Sequence, residues 1–559
     1  MTEKWLKSDI VDKKTKNEIL KLQNNEAELK DRFSKNLQFG TAGLRGVMGA
    51  GTNRMNIYTV RHATQGLANL IIKEGEKARK RGVCIAYDCR NNSELYAKEA
   101  CKVLAANEIN CYLFDSLRPT PLLSFAILEL ECIAGINITA SHNAKEYNGY
   151  KAYWEDGAQL SLTQADIVYD SIKSTDIFDD VKFIDLKKAK KYITILDNNM
   201  DEKYLNVLLE QSINKDIAKK HADISIIYTP FHGTGYKLVP EILKRTGFRN
   251  ITTVPEQMII NGNFPTVTSP NPENPEGFVL AVDLAQKHKA DLIIGTDPDA
   301  DRMGIMVRNE KGDFVALSGN QTGVILLDYI IQARIENNNL PKNAAAIKTI
   351  VTTEMAARIC EHYKVKLFNV LTGFKFIGEK IEEFENTEEY TFIFGYEESY
   401  GYLPGMYARD KDAVAASMLI SEAAAWYKDK NMTLYQALQE LFKKYGYHVE
   451  KTINIEMKGF DGLEKTKKLM QNLRTNIQTQ ISGIKVSQYH DLLDENDTMG
   501  QPKSDVVYYE LTDKSVLVVR PSGTEPKVKV YVMVNAENQA KADEKAEILK
   551  RDFLKLTEL

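Results

Sequence analysis

Apolar and polar positions along the chain fall into short blocks of two kinds. An apolar block from Cys84 to Asp88 gives way to a stretch of helical spacing through about Ala106, then to a second apolar block from Cys111 to Asp115. The outer blocks predict strands and the middle one a helix with Ser93 as its N-cap, which together make a βαβ unit. The pattern returns with a strand at Ile224 to Thr229, a glycine-bearing turn, a helix near Leu238 to Arg245 and a strand at Asp291 to Gly295. It returns again with a strand at Lys348 to Thr353, a helix from Glu354 to Tyr363 and a strand at Lys366 to Val370. These strands are apolar without clean alternation, as expected of a parallel sheet covered on both faces.

The two ends differ. Residues 1 to about 37 predict a charged helical lead-in, followed by a glycine cluster from Phe39 to Gly46. Near the other end, strands at Ser515 to Val519 and Val528 to Val534 flank a turn from Arg520 to Pro526. There Lys527, Lys529 and Tyr531 alternate with Val528, Val530 and Val532, the period of a half-exposed strand. A charged helix follows from about Glu537. The expected fold class is α/β: three similar α/β/α domains plus a smaller C-terminal α+β domain. The expected boundaries are 1–205, 206–320, 321–447 and 448–559.

Length and composition agree with this division. A chain of 559 residues exceeds one compact core and suggests about three to five domains. Hydrophobic residues at 43% and charged residues at 27% are the balance of a globular protein. A formal charge of −4 offers no nucleic-acid footprint, so any anion site must be a local cluster. The six cysteines show no CxxC pair and no metal spacing, so free thiols in a reducing compartment are expected. The N-terminal stretch lacks the apolar core of a signal peptide, and no apolar run approaches the ~18 residues of a membrane span. Cytoplasmic location, no membrane partner and a monomer or weak dimer are the expectations.

Three segments carry chemistry. Asp297, Asp299 and Asp301 occupy alternate positions after an apolar strand, with Arg302 next. In an extended segment alternate side chains share a face, so three carboxylates would meet one hard cation. A solvated acidic turn is the competing reading, and the preceding strand and Arg302 favour the cation. Second, Ser141 lies in a polar turn after the apolar stretch Cys132 to Ile138, with His142 beside it and Lys151 ten positions on. By itself such a turn is more often a cap than a nucleophile. Third, Arg520, Ser522, Gly523 and Thr524 offer a guanidinium fork, hydroxyls and N–H groups for an anion; an ordinary Pro-Gly turn is the alternative. Two further glycine-bearing loops hold Thr372, Gly373 and Lys375, and Glu397, Glu398 and Ser399.

Together these five elements resemble the α-D-phosphohexomutases of the phosphoglucomutase type, from about Phe39 to Val534. The resemblance implies four domains around a central active-site cleft. It implies a phosphoryl group carried on Ser141 and a Mg²⁺ ion bound by Asp297, Asp299, Asp301 and an oxygen of the phosphorylated Ser141. Arg45 and Arg302 would lie near that phosphate. Glu397 and Ser399 would read sugar hydroxyls, and the segment holding Thr372, Gly373 and Lys375 would select which end of the sugar is presented. Arg520, Ser522, Gly523, Thr524 and Lys527 would hold the phosphate that is not reacting. Lys151 sits at the family's spacing for a general base, with Lys375 the second candidate; His142 joins the catalytic set.

The implied reaction interconverts α-D-glucose 1-phosphate and glucose 6-phosphate through glucose 1,6-bisphosphate, which also serves as activator. Two departures bear on it. Ala144 replaces a proline common after S-H-N, a small change in the turn. Tyr400 and Gly401 follow Ser399 where mannose-type members have histidine, which weakens a mannose reading. The same loop also resembles a subgroup with phosphopentomutase and glucose-1,6-bisphosphate synthase activities. Pentose or mannose phosphates are therefore alternative substrates, and a phosphatase or a non-catalytic phosphosugar-binding protein are alternatives of another class.

Overall fold

A computed structural model describes residues 2–40, 43–457, 462–521 and 527–556. Four sheets organise it. The first holds β1 (Leu44–Val47), β2 (Val83–Tyr87), β3 (Cys111–Phe114), β4 (Ala134–Ile138), β5 (Tyr147–Trp154) and β6 (Ile193–Leu196). The second holds β7 (Ile226–Thr229), β8 (Ile251–Thr253), β9 (Leu292–Thr296), β10 (Met303–Arg308) and β11 (Phe314–Leu317). The third holds β12 (Ala344–Thr349), β13 (Lys366–Val370), β14 (Thr391–Glu397) and β15 (Gly401–Leu403). The fourth holds β16 (Tyr447–Glu456), β17 (Gln480–Ile481), β18 (Ile484–Asp491), β19 (Val507–Leu511), β20 (Val516–Pro521) and β21 (Lys527–Ala536), and is antiparallel throughout.

The first three sheets share one motif. Their strand orders contain β5-β4-β2-β3, β10-β9-β7-β8 and β15-β14-β12-β13. In each, three strands run parallel and the fourth returns antiparallel through a short turn. The parallel trio is what the unbroken apolar runs predict: β2, β4, β7 and β9 are buried at every position. The antiparallel return is not among the expected elements. It carries the turn on which each unit places its polar residues.

One apolar core runs through these three units, joining Phe125, Leu243, Ile330 and Leu419. The helix Ala413–Asp429 is buried from Ala413 to Tyr427, and the Asp412 carboxylate caps it by accepting the N–H groups of Val414 and Ala415. The fourth unit has its own core around Leu517, Val519, Val530 and Phe553. It leans on the third unit where Ile350, Val351 and Leu371 meet Val518 and Tyr531. The lead-in is three short helices, fixed by Trp5 edge-on to Phe33, Tyr58 and Phe178. No helix among the described residues is long and apolar enough to cross a membrane.

Several boundaries moved by one or more residues, and in two places the physical reason is visible. Ser93 is inside its helix rather than its cap; Asn92 takes the cap position with φ 68°, and the Ser93 hydroxyl donates to Asp88 instead. The strand expected at Lys348 to Thr353 is β12, which ends at Thr349. The run beyond Thr349 turns because the buried Lys348 ammonium donates to the Thr352 carbonyl and to Glu354.

Candidate active site

The three antiparallel returns present their turns at equivalent positions. Ser141 lies between β4 and β5, Asp297 to Arg302 between β9 and β10, and Glu398 to Tyr400 between β14 and β15. Each turn forces one residue with a side chain into the left-handed region: Ser141 at φ 51°, Ala300 at φ 48° and Tyr400 at φ 67°. Such conformations cost about 1–3 kcal/mol and persist only where the surroundings over-determine them.

At Ser141 that restraint is visible. Its N–H donates to Thr139 Oγ1 at 2.8 Å, and the Thr139 hydroxyl donates to Asp88. The buried Arg90 guanidinium donates to four carbonyls of the turn, those of Ser141 (2.6 Å), Asn143 (2.5 Å), Ala144 (2.9 Å) and Tyr147 (3.0 Å). Its Nε lies 3.2 Å from Asp88. Removing this cation strands a buried carboxylate and four acceptors. Arg90→Met is expected to destabilise the protein by about 3 kcal/mol, read as a lower urea midpoint, and to lower turnover by loosening the serine.

The metal-type turn closes onto this serine. The Ser141 hydroxyl donates to Asp297 Oδ2 at 2.7 Å and lies 3.1 Å from His142 Nδ1. Asp297 Oδ1 accepts the N–H groups of Asp301 and Arg302, and the Ala300 N–H bonds back to the Asp297 carbonyl. The segment is therefore a tight turn. The three carboxylates converge because the chain folds back at Ala300, not because alternate positions of an extended segment share a face.

Asp297, Asp299 and Asp301 are at most 1% exposed, and their ligand oxygens lie within 4.8 Å of one another. Lys151 Nζ donates to Asp299 Oδ2 (2.9 Å) and Asp301 Oδ2 (3.2 Å); Lys411 Nζ is 3.2 Å from Asp301 Oδ2. Oδ1 of both Asp299 and Asp301 is buried with no hydrogen-bond partner. Two unmet carboxylate oxygens beside a third carboxylate are an all-oxygen donor set that fits a hard divalent cation.

The charges divide accordingly. Burial raises the Asp297 carboxyl well above its usual range, and the charges of Asp299 and Asp301 push the same way. Burial acts on Asp299 too and is the largest single influence, but the Lys151 ammonium together with hydrogen bonds from Asp297, Lys151 and Thr120 outweighs it and holds that carboxyl low. For Lys151, burial favours the neutral amine, and Asp299 and Asp301 override it, so the ammonium is held above its ordinary value. Burial, then the positive charges of Arg302 and Arg45, drives the His142 imidazole well below its ordinary range. His142 is thus a neutral imidazole beside the serine hydroxyl.

Arg45, on β1 opposite Gly149 of β5, donates to Asn143 Oδ1 at 2.8 Å and so reaches the serine turn. Arg302 donates to Glu273 at 2.9 Å. In the third unit Glu397 Oε1 accepts the Gly373 N–H at 2.9 Å, which joins the two glycine-bearing loops. Ser399 follows, half-buried, in the adjoining turn. Thr372 Oγ1 is buried without a partner. Lys375 Nζ is also buried without a hydrogen-bond partner, over the Phe376 ring, and it makes no contact with the serine or the three aspartates. Burial lowers its proton affinity.

From the fourth unit Arg520 donates to the Tyr531 hydroxyl, and its charge acts on Glu398. Burial and the charge of Glu397 push the Glu398 carboxyl up to about 7. Lys527 opens β21. Ser522, Gly523 and Thr524 lie outside the described residues.

Lys411, Arg90 and Thr120, whose hydroxyl donates to Asp299 Oδ2 at 2.9 Å, belong to this cluster and escaped the sequence reading. For Lys411 a signal existed. Arg409, Asp410, Lys411 and Asp412 are four consecutive charges abutting a continuous apolar helix, and all four are buried. Buried charges of that kind persist only when paired.

The four units match four family models in order. These are phosphoglucomutase/phosphomannomutase alpha/beta/alpha domain I over residues 36–177, domain II over 202–312, domain III over 318–445 and the C-terminal domain over 470–551. Phosphoglucomutase of Staphylococcus aureus (strain USA300) is 36% identical over 528 residues, covering 92% of this chain and 93% of its own. The phosphoglucomutase of Staphylococcus haemolyticus is 36% identical over 519 residues, covering 90% and 92%. Among solved structures, the fold is shared with the open form of pp63/parafusin, a phosphoglucomutase from Paramecium. That match has TM-score 0.68 and 19% identity, covering 94% of this chain and 95% of that one. A phosphoglucomutase/phosphomannomutase family protein from Burkholderia thailandensis matches with TM-score 0.65 and 17% identity, covering 93% and 96%. The chain belongs to the phosphoglucomutase/phosphomannomutase family of enzymes, the α-D-phosphohexomutases.

Proposed function

We propose that this enzyme interconverts α-D-glucose 1-phosphate and glucose 6-phosphate, with Ser141 as the residue that carries the phosphoryl group and glucose 1,6-bisphosphate as the intermediate and activator. The observation that supports this reading is the 2.7 Å contact between the Ser141 hydroxyl and Asp297, which brings a serine hydroxyl from one unit to a cluster of three carboxylates from the next. The relatives' names supply the sugar.

In the proposed reaction the bond between phosphorus and Ser141 Oγ breaks as a bond forms to a hydroxyl of the sugar phosphate. The hydroxyl proton leaves to a base, and the serine oxygen regains a proton. The bisphosphate then turns around and returns its other phosphoryl group to Ser141. Positioning and charge neutralisation dominate such transfers. Asp297, Asp299, Asp301 and an oxygen of the phosphorylated Ser141 would hold a Mg²⁺ ion, which would supply charge neutralisation of the phosphoryl oxygens.

Arg45, which reaches the serine turn through Asn143, and Arg302 would add charge-assisted hydrogen bonds to that phosphate. Neutral His142 contacts the serine oxygen directly and is suited to steer its proton. Lys151 is our candidate base for the sugar hydroxyl. Its ammonium must give up a proton first, and the like charge of Lys411 on the same Asp301 oxygen favours that release. Lys375 is unpaired and its proton affinity is already lowered, so it is the second candidate. Thr372, Gly373, Lys375, Glu397 and Ser399 would hold the sugar. Arg520, Ser522, Gly523, Thr524 and Lys527 would hold the distal phosphate. Six unpaired cysteines suit a reducing compartment, and we infer the cytoplasm.

The test is a substrate panel with catalytic bisphosphate present. kcat/KM for glucose 1-phosphate is expected to exceed that for mannose 1-phosphate and ribose 1-phosphate by about tenfold or more, since specificity is that ratio. A tenfold preference for ribose 1-phosphate would instead make the enzyme a phosphopentomutase with the same machinery.

A further inference from the structure

Thr120 opens the helix Thr120–Glu129 in the first unit, yet it makes two hydrogen bonds to Asp299, 179 positions later in the second. Its N–H donates to the Asp299 carbonyl at 2.9 Å, and its hydroxyl contacts Asp299 Oδ2 at 2.9 Å. Asn137 Nδ2 lies 2.7 Å from the same hydroxyl. Thr120, Asn137 and Asp299 are all fully buried.

The proton arrangement follows from chemistry. A carboxylate can only accept, so the Thr120 hydroxyl must donate to Asp299. A hydroxyl has one hydrogen, so the Asn137 atom facing it must be the amide nitrogen, donating in turn. The chain of donors therefore has one direction, from Asn137 to Thr120 to Asp299.

We propose that Thr120 is a positioning residue for the cation site: its hydroxyl, oriented by Asn137, grips Asp299 Oδ2 so that Oδ1 of that carboxylate faces the ion. The inference rests on reading the three aspartates as a divalent-cation site. Lys151 holds the same Oδ2 atom, but Lys151 also binds Asp301 and carries charge. Thr120 is neutral, so its contribution is the angle of the carboxylate and the docking of the second unit's turn onto the first. Outer partners of this kind fix ligand orientation, and losing one typically weakens metal binding about 10–100-fold.

The test is calorimetric titration of the purified, dephosphorylated full chain with MgCl₂. Thr120→Val keeps the size and the main-chain bond and removes only the donor; it is expected to raise the Mg²⁺ Kd about tenfold or more. Thr120→Ser is expected to bind as wild type does. Thr120→Cys, with a far weaker donor, is expected to fall between them, and it keeps the test decisive if the valine variant folds poorly. Turnover of the valine variant is expected to recover as Mg²⁺ is raised, with KM for the sugar unchanged. Wild-type affinity in the valine and cysteine variants would overturn the role of Thr120 alone, as would a serine variant as weak as valine. A wild-type chain that binds no Mg²⁺ would overturn the cation reading itself.

Discussion

Ser141→Ala is expected to lower kcat by at least about 10⁴-fold, the scale on which removal of a covalent nucleophile acts. The residue is 3% exposed and held in a left-handed turn by Thr139 and Arg90, and its hydroxyl is already committed to Asp297. Alanine adopts that backbone no more easily than serine, and the Arg90 contacts are to carbonyls, which the substitution leaves intact. The turn should therefore keep its shape while the acceptor for the phosphoryl group disappears. Steady-state assays with saturating bisphosphate read the loss of turnover, and calorimetry with glucose 6-phosphate should show binding retained. A variant that turns over at the wild-type rate would remove Ser141 from the chemistry.

Asp299→Asn is expected to have the next largest effect. It should weaken Mg²⁺ binding by about 100-fold or more, at or beyond the upper end of what an outer partner contributes, and lower kcat/KM by about 10³-fold at ordinary Mg²⁺ concentrations. Asp299 carries the buried Oδ1 with no partner, so it gives up a ligand atom without giving up a structural bond. The amide also leaves Lys151 with only Asp301 as a close counter-charge. Activity measured across a Mg²⁺ series separates the two consequences: a displaced curve reports the ligand, and a lowered plateau reports the chemistry. Unchanged Mg²⁺ dependence would contradict the assignment of this carboxylate.

Much of the fold was legible because parallel strands buried on both faces leave unbroken apolar runs, and Val83–Tyr87 and Leu292–Thr296 are such runs. The antiparallel returns were not, since β5 and β10 read much like their parallel neighbours and differ in what the intervening turn does. The turn itself depends on left-handed residues such as Ala300, which no propensity marks. That is why the structure brings the three aspartates together by a fold-back at Ala300 rather than by the alternation expected of an extended segment.

The site divides in the same way. Ser141 and the three aspartates stand in compact segments whose spacing carries the signal. Arg90, Thr120 and Lys411 act across 51 to 179 positions or from a run of charges that resembles a solvated cap. Their roles exist only once the units are packed, when burial leaves each polar group dependent on one specific partner.

Ser141 alone is expected to ferry the phosphoryl group. Incubating the enzyme with glucose 1,6-bisphosphate and Mg²⁺ and then mapping phosphopeptides by mass spectrometry tests it directly. One phosphate on the peptide containing Ser141, discharged onto added glucose 6-phosphate, is the predicted result. Phosphate on another residue, or sustained turnover with Ser141 never phosphorylated, would contradict it.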